Sequence, residues 1–190
     1  MTAATRPARL LPCAALCALL LPACIERPWQ DAPQRPSVDR AALRDVLLPV
    51  IPNDLVLVGA VFGGGAAELV GYRLDPPGIA AGSRLRITLY WRCKSELDAW
   101  HVFVHLDDAS GTGERIHAEH DPAGGRFPTD AWQPGDLVAD SFTVSPGASP
   151  LNLFLGFYST GETRLKLDSP GRGRNDGNNR LWAGLIPLAK

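Results

Sequence analysis

Leu85-Arg86-Ile87-Thr88-Leu89-Tyr90-Trp91-Arg92 decides the fold of this chain. Leu85, Ile87, Leu89 and Trp91 fall on one side of a period of two, and Arg84, Arg86, Thr88, Tyr90 and Arg92 on the other. Successive side chains of an extended strand point to opposite faces, so this pattern predicts a strand with one side in a core. Two more stretches repeat it. Trp100-Val102-Val104-Leu106 alternates with His101, Phe103 and His105. Leu151-Leu153-Leu155-Phe157 alternates with Asn152, Phe154, Gly156 and Tyr158. Three such alternations predict half-buried antiparallel strands.

Working outward, further strands are expected at Leu55–Val61, Glu68–Leu74, Arg115–His120, Leu137–Val144, Arg164–Leu167 and Arg180–Leu188. The intervening stretches are rich in Gly, Pro, Asp and Asn, the residues that turns require. About nine short strands spaced in this way predict an all-β fold, an antiparallel jelly-roll-like β-sandwich over residues 54–190. Before it, Ser37 is placed to cap a short N-terminal helix through about Leu48, with Val38, Ala41, Ala42, Val46 and Leu47 on its apolar side. Pro49 and Pro52 end that helix, so residues 37–53 read as helix and linker.

Residues 1–23 read as a signal peptide. Arg6 and Arg9 supply the positive start, and Leu10 to Leu21 the apolar stretch. That stretch is shorter than the roughly 20 residues a membrane span needs. Leu21-Pro22-Ala23-Cys24 resembles the lipobox of bacterial lipoproteins, with Pro22 a departure from the usual pattern. The resemblance implies a lipidated Cys24 and attachment to a membrane in the cell envelope, on the periplasmic or outer surface. Residues 24–36, with three prolines among polar residues, form a tether. Cys13 and Cys17 leave with the signal, so Cys93 is left without a disulfide partner and reads as a small buried hydrophobe.

At 190 residues the chain has room for one ordinary domain, and 45% apolar residues suffice for a real core. The formal net charge of −1 lacks the basic excess of a nucleic-acid binder.

A series of motifs runs through the middle of the chain. Val70-Gly71-Tyr72-Arg73-Leu74 precedes Leu85-x-Ile87-Thr88-Leu89-Tyr90-Trp91 and Val102-Phe103-Val104-His105-Leu106. His120-Asp121-Pro122 follows, then Pro128-Thr129-x-x-Trp132-x-Pro134-Gly135-Asp136, Leu155-Gly156-Phe157-Tyr158 and Arg164-Leu165. Together they resemble the β-sandwich domain that follows the membrane spans of some bacterial polytopic glycosyltransferases, those of the dolichyl-phosphate-mannose transferase type. The likeness covers roughly Val61 to Leu188. It implies a fold and an envelope context. It implies no transferase activity, because the catalytic residues of that family lie in a membrane part that this sequence does not show.

Site candidates follow from the same parity. If the three alternating strands share one sheet, their outward sides collect Arg86, Tyr90, Arg92, His101, Phe103, His105, Asn152, Phe154 and Tyr158. Rings beside Arg and Asn suit a carbohydrate, whose apolar face stacks on an aromatic and whose hydroxyls seek polar groups. Such a face is otherwise covered by the chain itself or by an envelope protein. Asp140 shares parity with Val138, Phe142 and Val144, so it should point inward as a buried structural carboxylate, satisfied by an Arg or by backbone N–H groups.

No metal site is assigned. His101 and His105 share a side of one strand but stand about 13 Å apart, too far for one zinc ion. His117 and His120 fall on opposite faces, and a cross-strand histidine pair stays open. The loop from Asp168 to Asn179 reads as a turn around Asp176-Gly177. Its oxygen-rich character leaves Asp168 and Asp176 as weak candidates for a structural Ca²⁺. Gly63-Gly64-Gly65 reads as a turn, since a strand follows where a phosphate-binding loop needs a helix. No catalytic set can be assembled, and no G-x-S-x-G elbow is present. The expectation is therefore a non-catalytic, lipid-anchored envelope protein with a carbohydrate-binding-type module. The alternative is a structural or assembly lipoprotein that binds another envelope protein.

Overall fold

The computed structural model describes residues 35–80, 82–161 and 163–189. The expected signal peptide, Cys24 and nearly all of the tether lie outside the described residues.

Among the described residues the chain forms ten strands. They are β1 (Val56–Phe62), β2 (Ala67–Asp75), β3 (Leu85–Cys93), β4 (His101–Asp108), β5 (Ile116–His117), β6 (Leu137–Val144), β7 (Leu151–Tyr158), β8 (Leu167–Ser169), β9 (Arg174–Asn175) and β10 (Leu181–Ile186). They pair into two antiparallel sheets, ordered β6-β3-β2-β1-β8 and β5-β4-β7-β10-β9. The all-β sandwich expected from the alternations is the observed architecture.

The inward residues of β3, β4 and β7 make the core the pattern called for. Leu85, Ile87, Leu89 and Trp91 face Val102, Val104, Leu106, Leu153, Leu155 and Phe157, all buried. Aromatic rings lock the two layers. Phe157 on β7 sits 4.6 Å from Trp91 on β3, and 5.5 Å from Phe62 on β1 with the rings at 89°. Edge-to-face pairs of this kind contribute about 0.5–1.5 kcal/mol beyond the area they bury. Trp132 joins the same cluster and donates its indole N–H to the carbonyl of Phe127. Cys93 is buried, and burial pushes its thiol pKa up to about 11.

The strand assignment corrects one expectation. β3 belongs to the first sheet, whereas β4 and β7 are neighbours in the second. The nine outward residues therefore divide between two opposite faces. Arg86, Tyr90 and Arg92 lie on the outside of the first sheet. His101, Phe103, His105, Asn152, Phe154 and Tyr158 lie on the outside of the second. Alternation fixes which way a side chain points relative to its own sheet, and it is silent about which sheet that is.

The N-terminal helix is also shorter than expected. Only Arg40–Leu43 is helical, as one 3-10 turn, and Asp39 rather than Ser37 caps it, its side chain accepting from the N–H of Ala41. The following residues go to the first sheet instead. Leu48 N–H donates to the carbonyl of Leu137, and Ala139 N–H to that of Val46. Leu43 and Val46 are buried against the core, so pairing to the free edge of β6 takes the backbone groups a longer helix would have used.

Candidate functional site

The outer face of the second sheet is built by register. Antiparallel pairing of β4 with β7 sets His101 opposite Tyr158, Phe103 opposite Gly156, and His105 opposite Phe154. On the far side of β4, β5 sets His117 opposite His105. On the far side of β7, β10 sets Trp182 opposite Phe154. With strands about 4.8 Å apart, one row of four rings crosses the sheet: His117, His105, Phe154 and Trp182. The cross-strand histidine pair left open by the sequence is thus formed, with ring centres 4.9 Å apart.

Arginines cover much of this face. Arg180 lies 3.9 Å from the centre of the Phe154 ring, Arg174 4.1 Å from Trp182, and Arg164 4.7 Å from Phe103. Stacked guanidinium groups of this kind are favourable electrostatically and keep water from the rings. Phe103 is only 3% exposed. Its ring fits over Gly156, where a Cβ would come within 2.7 Å of two ring carbons. The chain therefore supplies its own cover for part of the face.

What stays open is a concavity of about 600 Å³, lined by Phe103, His105, Glu119, Tyr158, Arg164, Asn178 and Asn179. Its floor is Phe103 and His105. Its walls come from three separate segments. Arg164 donates to the carbonyl of Asn178, and the side-chain oxygen of Asn179 accepts from the N–H of Leu167, so the turn after β9 is pinned over the sheet. That turn puts Asn178 and Asn179 at φ of 50° and 56°, a left-handed conformation that asparagine tolerates better than most residues. Tyr158 stands at the rim, its ring centre 5.1 Å from that of His101, which pairs with Asp121.

His105 is poised between charges. Nε2 lies 3.2 Å from Glu119 Oε1, while an Arg180 nitrogen lies 3.5 Å from Nδ1. Burial lowers the pKa of His105, and Arg115 and Arg180 lower it further. The neutral ring then donates from Nε2 to the carboxylate and leaves Nδ1 as acceptor. Glu119 also accepts from His117 Nδ1 at 2.9 Å. Burial raises the Glu119 pKa, but the histidine hydrogen bond and its other partners outweigh this and hold it below the usual range.

Of the nine sequence candidates, three line the concavity: Phe103, His105 and Tyr158. His101 adjoins it through Tyr158. Asn152 accepts the indole N–H of Trp182, and Phe154 is roofed by Arg180. Arg86, Tyr90 and Arg92 are on the other side of the molecule. Tyr90 is 2% exposed, and Arg92 pairs with Glu68. Four lining residues were not among the candidates. Glu119 shares parity with His117 in the expected strand Arg115–His120, and that is the one signal the sequence held for it. Arg164, Asn178 and Asn179 arrive from turns, which carry no parity.

The two calcium candidates have protein partners on different elements. One Asp168 oxygen accepts from the N–H groups of Gly64 and Gly65, and the other faces Lys166. Asp176 pairs with Arg180, four residues on. The Gly63-Gly64-Gly65 stretch is the turn the sequence suggested, closed by Asp168.

Asp140 points inward and is fully buried, as its parity required. Its partners are His120 Nε2 at 2.9 Å and the N–H of Ala123 at 2.9 Å. The expected backbone donor is present, and a histidine stands where an arginine was the other option.

No family model matches this chain, and no curated protein matches it. Among solved structures it is similar to the C-terminal domain of wzt, at 13% identity over 75% of this chain and 90% of that one, with a TM-score of 0.42. No helix among the described residues is long and apolar enough to cross a membrane.

Proposed function

We propose that this chain is a non-catalytic, lipid-anchored protein of the cell envelope whose sandwich, of jelly-roll type, binds a carbohydrate in the concavity over β4 and β7. The observation that carries the reading is the lining itself. Tyr158 lines an open space with an aromatic ring, and Glu119, Arg164, Asn178 and Asn179 surround that space with donors and acceptors. A sugar ring has the matching chemistry, with C–H groups for the aromatic and hydroxyls for the carboxylate, guanidinium and amides. The anchoring half of the proposal rests on Leu21-Pro22-Ala23-Cys24.

The test is a glycan and polysaccharide binding screen of the purified chain beside a Tyr158→Ala variant. Binding that the variant loses while keeping its thermal midpoint supports the proposal. Binding to an envelope protein with no glycan bound would move the assignment to an assembly lipoprotein. For the anchor, mass spectrometry of the membrane fraction should find acyl chains on Cys24, and a Cys24→Ala variant should lack them.

A further inference from the structure

His105, His117 and Glu119 meet at one corner of the concavity for reasons of register. His105 and His117 are directly opposed across β4 and β5. Glu119 lies two residues beyond His117, on the same side of the extended edge that continues β5. One nitrogen from each histidine and one carboxylate oxygen lie within 4.8 Å of one another. Two of the separations are given by the hydrogen bonds, 3.2 Å from Glu119 Oε1 to His105 Nε2 and 2.9 Å to His117 Nδ1. Ligands in a tetrahedral zinc shell, with bonds near 2.0–2.1 Å, stand roughly 3.3 Å apart. Glu119 is therefore already at that spacing from each histidine, and the two imidazole nitrogens lie within 4.8 Å of each other.

We propose that His105, His117 and Glu119 bind a divalent transition-metal ion of the zinc class, leaving a coordination position open beside the concavity. Two imidazole nitrogens and one carboxylate oxygen suit zinc and its neighbours, whereas calcium takes oxygen ligands. The path for the ion is open, since the His117 side chain is 58% exposed and that of Glu119 33%. His105, the most buried of the three, anchors the site to the sheet. The ion takes the place of the two N–H donors that Glu119 now accepts. At His105 the ring proton moves from Nε2 to Nδ1, so the ring stays neutral. At His117 it moves to Nε2, and this side chain is 58% exposed. The long 3.5 Å contact between Arg180 and His105 Nδ1 opens, and Arg180 keeps its pairing with Asp176 and Asp107. The site stands on these three residues alone and does not depend on the carbohydrate reading.

The experiment is a zinc titration of the metal-stripped full chain in competition with a chromogenic chelator, alongside His117→Gln and Glu119→Gln. Both substituted side chains reach solvent, and thermal unfolding in EDTA checks that the variants are folded. The expected result is a zinc ion bound in the micromolar range or tighter, weakened about tenfold or more in each variant. Co²⁺ bound at the same site should show visible bands without a thiolate charge-transfer band, which separates it from Cys13, Cys17 and Cys24. Binding that neither variant weakens, or no binding at micromolar zinc, overturns the site. A thiolate band on cobalt that survives in His117→Gln does so as well.

Discussion

His120 Nε2 donates to the buried carboxylate of Asp140 at 2.9 Å, while its Nδ1 donates to the carbonyl of Ala118 at 2.8 Å. Both ring nitrogens face acceptors, and a neutral imidazole has only one proton to give. The pair is thus an imidazolium against a carboxylate, with Phe142 stacked 4.8 Å from the ring. It joins the β6 edge of one sheet to the segment that runs along the β5 edge of the other, closing the sandwich on that side.

This pair sets a pH window for stability. Burial lowers the His120 pKa, but the hydrogen bond and charge of Asp140 outweigh it, and the net shift is upward. A histidine raised in the folded state contributes stability that is fully present below its unfolded value of about 6.5 and is lost as pH rises through the folded value. His105 is shifted the other way, so its contribution is lost as pH falls below about 6.5, whereas those of Asp107, Asp108 and Asp168, all lowered in the fold, are lost only below about pH 3.9. Urea unfolding across pH should give a maximum near pH 6.5, and His120→Gln should remove the decline between about pH 6.5 and 8, below the range where the buried Cys93 thiol adds its own. A decline of the same size in that variant would place its origin elsewhere.

Asp140 variants should separate charge from hydrogen bonding. Asp140→Ala leaves His120 and the Ala123 N–H without partners in a buried place and should cost about 3–5 kcal/mol in urea unfolding. Asp140→Asn keeps an acceptor for Ala123 and lets His120 turn neutral, so the loss should be nearer 1–3 kcal/mol, with a flattened alkaline limb. Equal losses would mean that the charge carries the effect and that the acceptor kept for Ala123 contributes little.

Gly156 is a packing requirement. A Cβ there meets Phe103 at 2.7 Å and the carbonyl of Asn179 at 3.1 Å. Gly156→Ala should therefore lift the ring and the Asn178–Asn179 turn together and cost about 1–3 kcal/mol. The thermal midpoint should fall by roughly 2–4 °C per kcal/mol for a domain of this size. An unchanged midpoint would show that the ring moves without cost.

Asp168 closes the glycine turn after β1. Asp168→Ala removes the acceptor for two backbone N–H groups and should cost about 1 kcal/mol. Because both oxygens of Asp168 already have partners, millimolar calcium should leave the thermal midpoint of the unmodified chain in place. A calcium-dependent rise that Asp168→Ala abolishes would restore the ion to this loop.

The strands were legible to within a residue or two at most ends, because apolar alternation reports a buried face directly. Leu137–Val144 matches β6 at both ends, and the alternation from Leu151 to Tyr158 matches β7. β9 was missed because two residues, Arg174 and Asn175, are too few to show a period. The inward direction of Asp140 was legible, and its histidine partner was not, since His120 comes from the edge of the opposite sheet. The site was half legible for the same reason. Phe103, His105 and Tyr158 stand on strands with a readable parity. Arg164, Asn178 and Asn179 are brought over the sheet by turns, through contacts between residues far apart in sequence. Grouping Tyr90 with them failed because parity does not assign a strand to a sheet.

The most direct test of the carbohydrate reading is to map where a bound sugar lands. With the best ligand from the glycan screen, backbone and imidazole NMR shifts should be followed during titration. The account predicts changes confined to Phe103, His105, Glu119, Tyr158, Arg164 and the Asn178–Asn179 turn. Changes centred instead on Arg86 and Arg92, outside the first sheet, would contradict it.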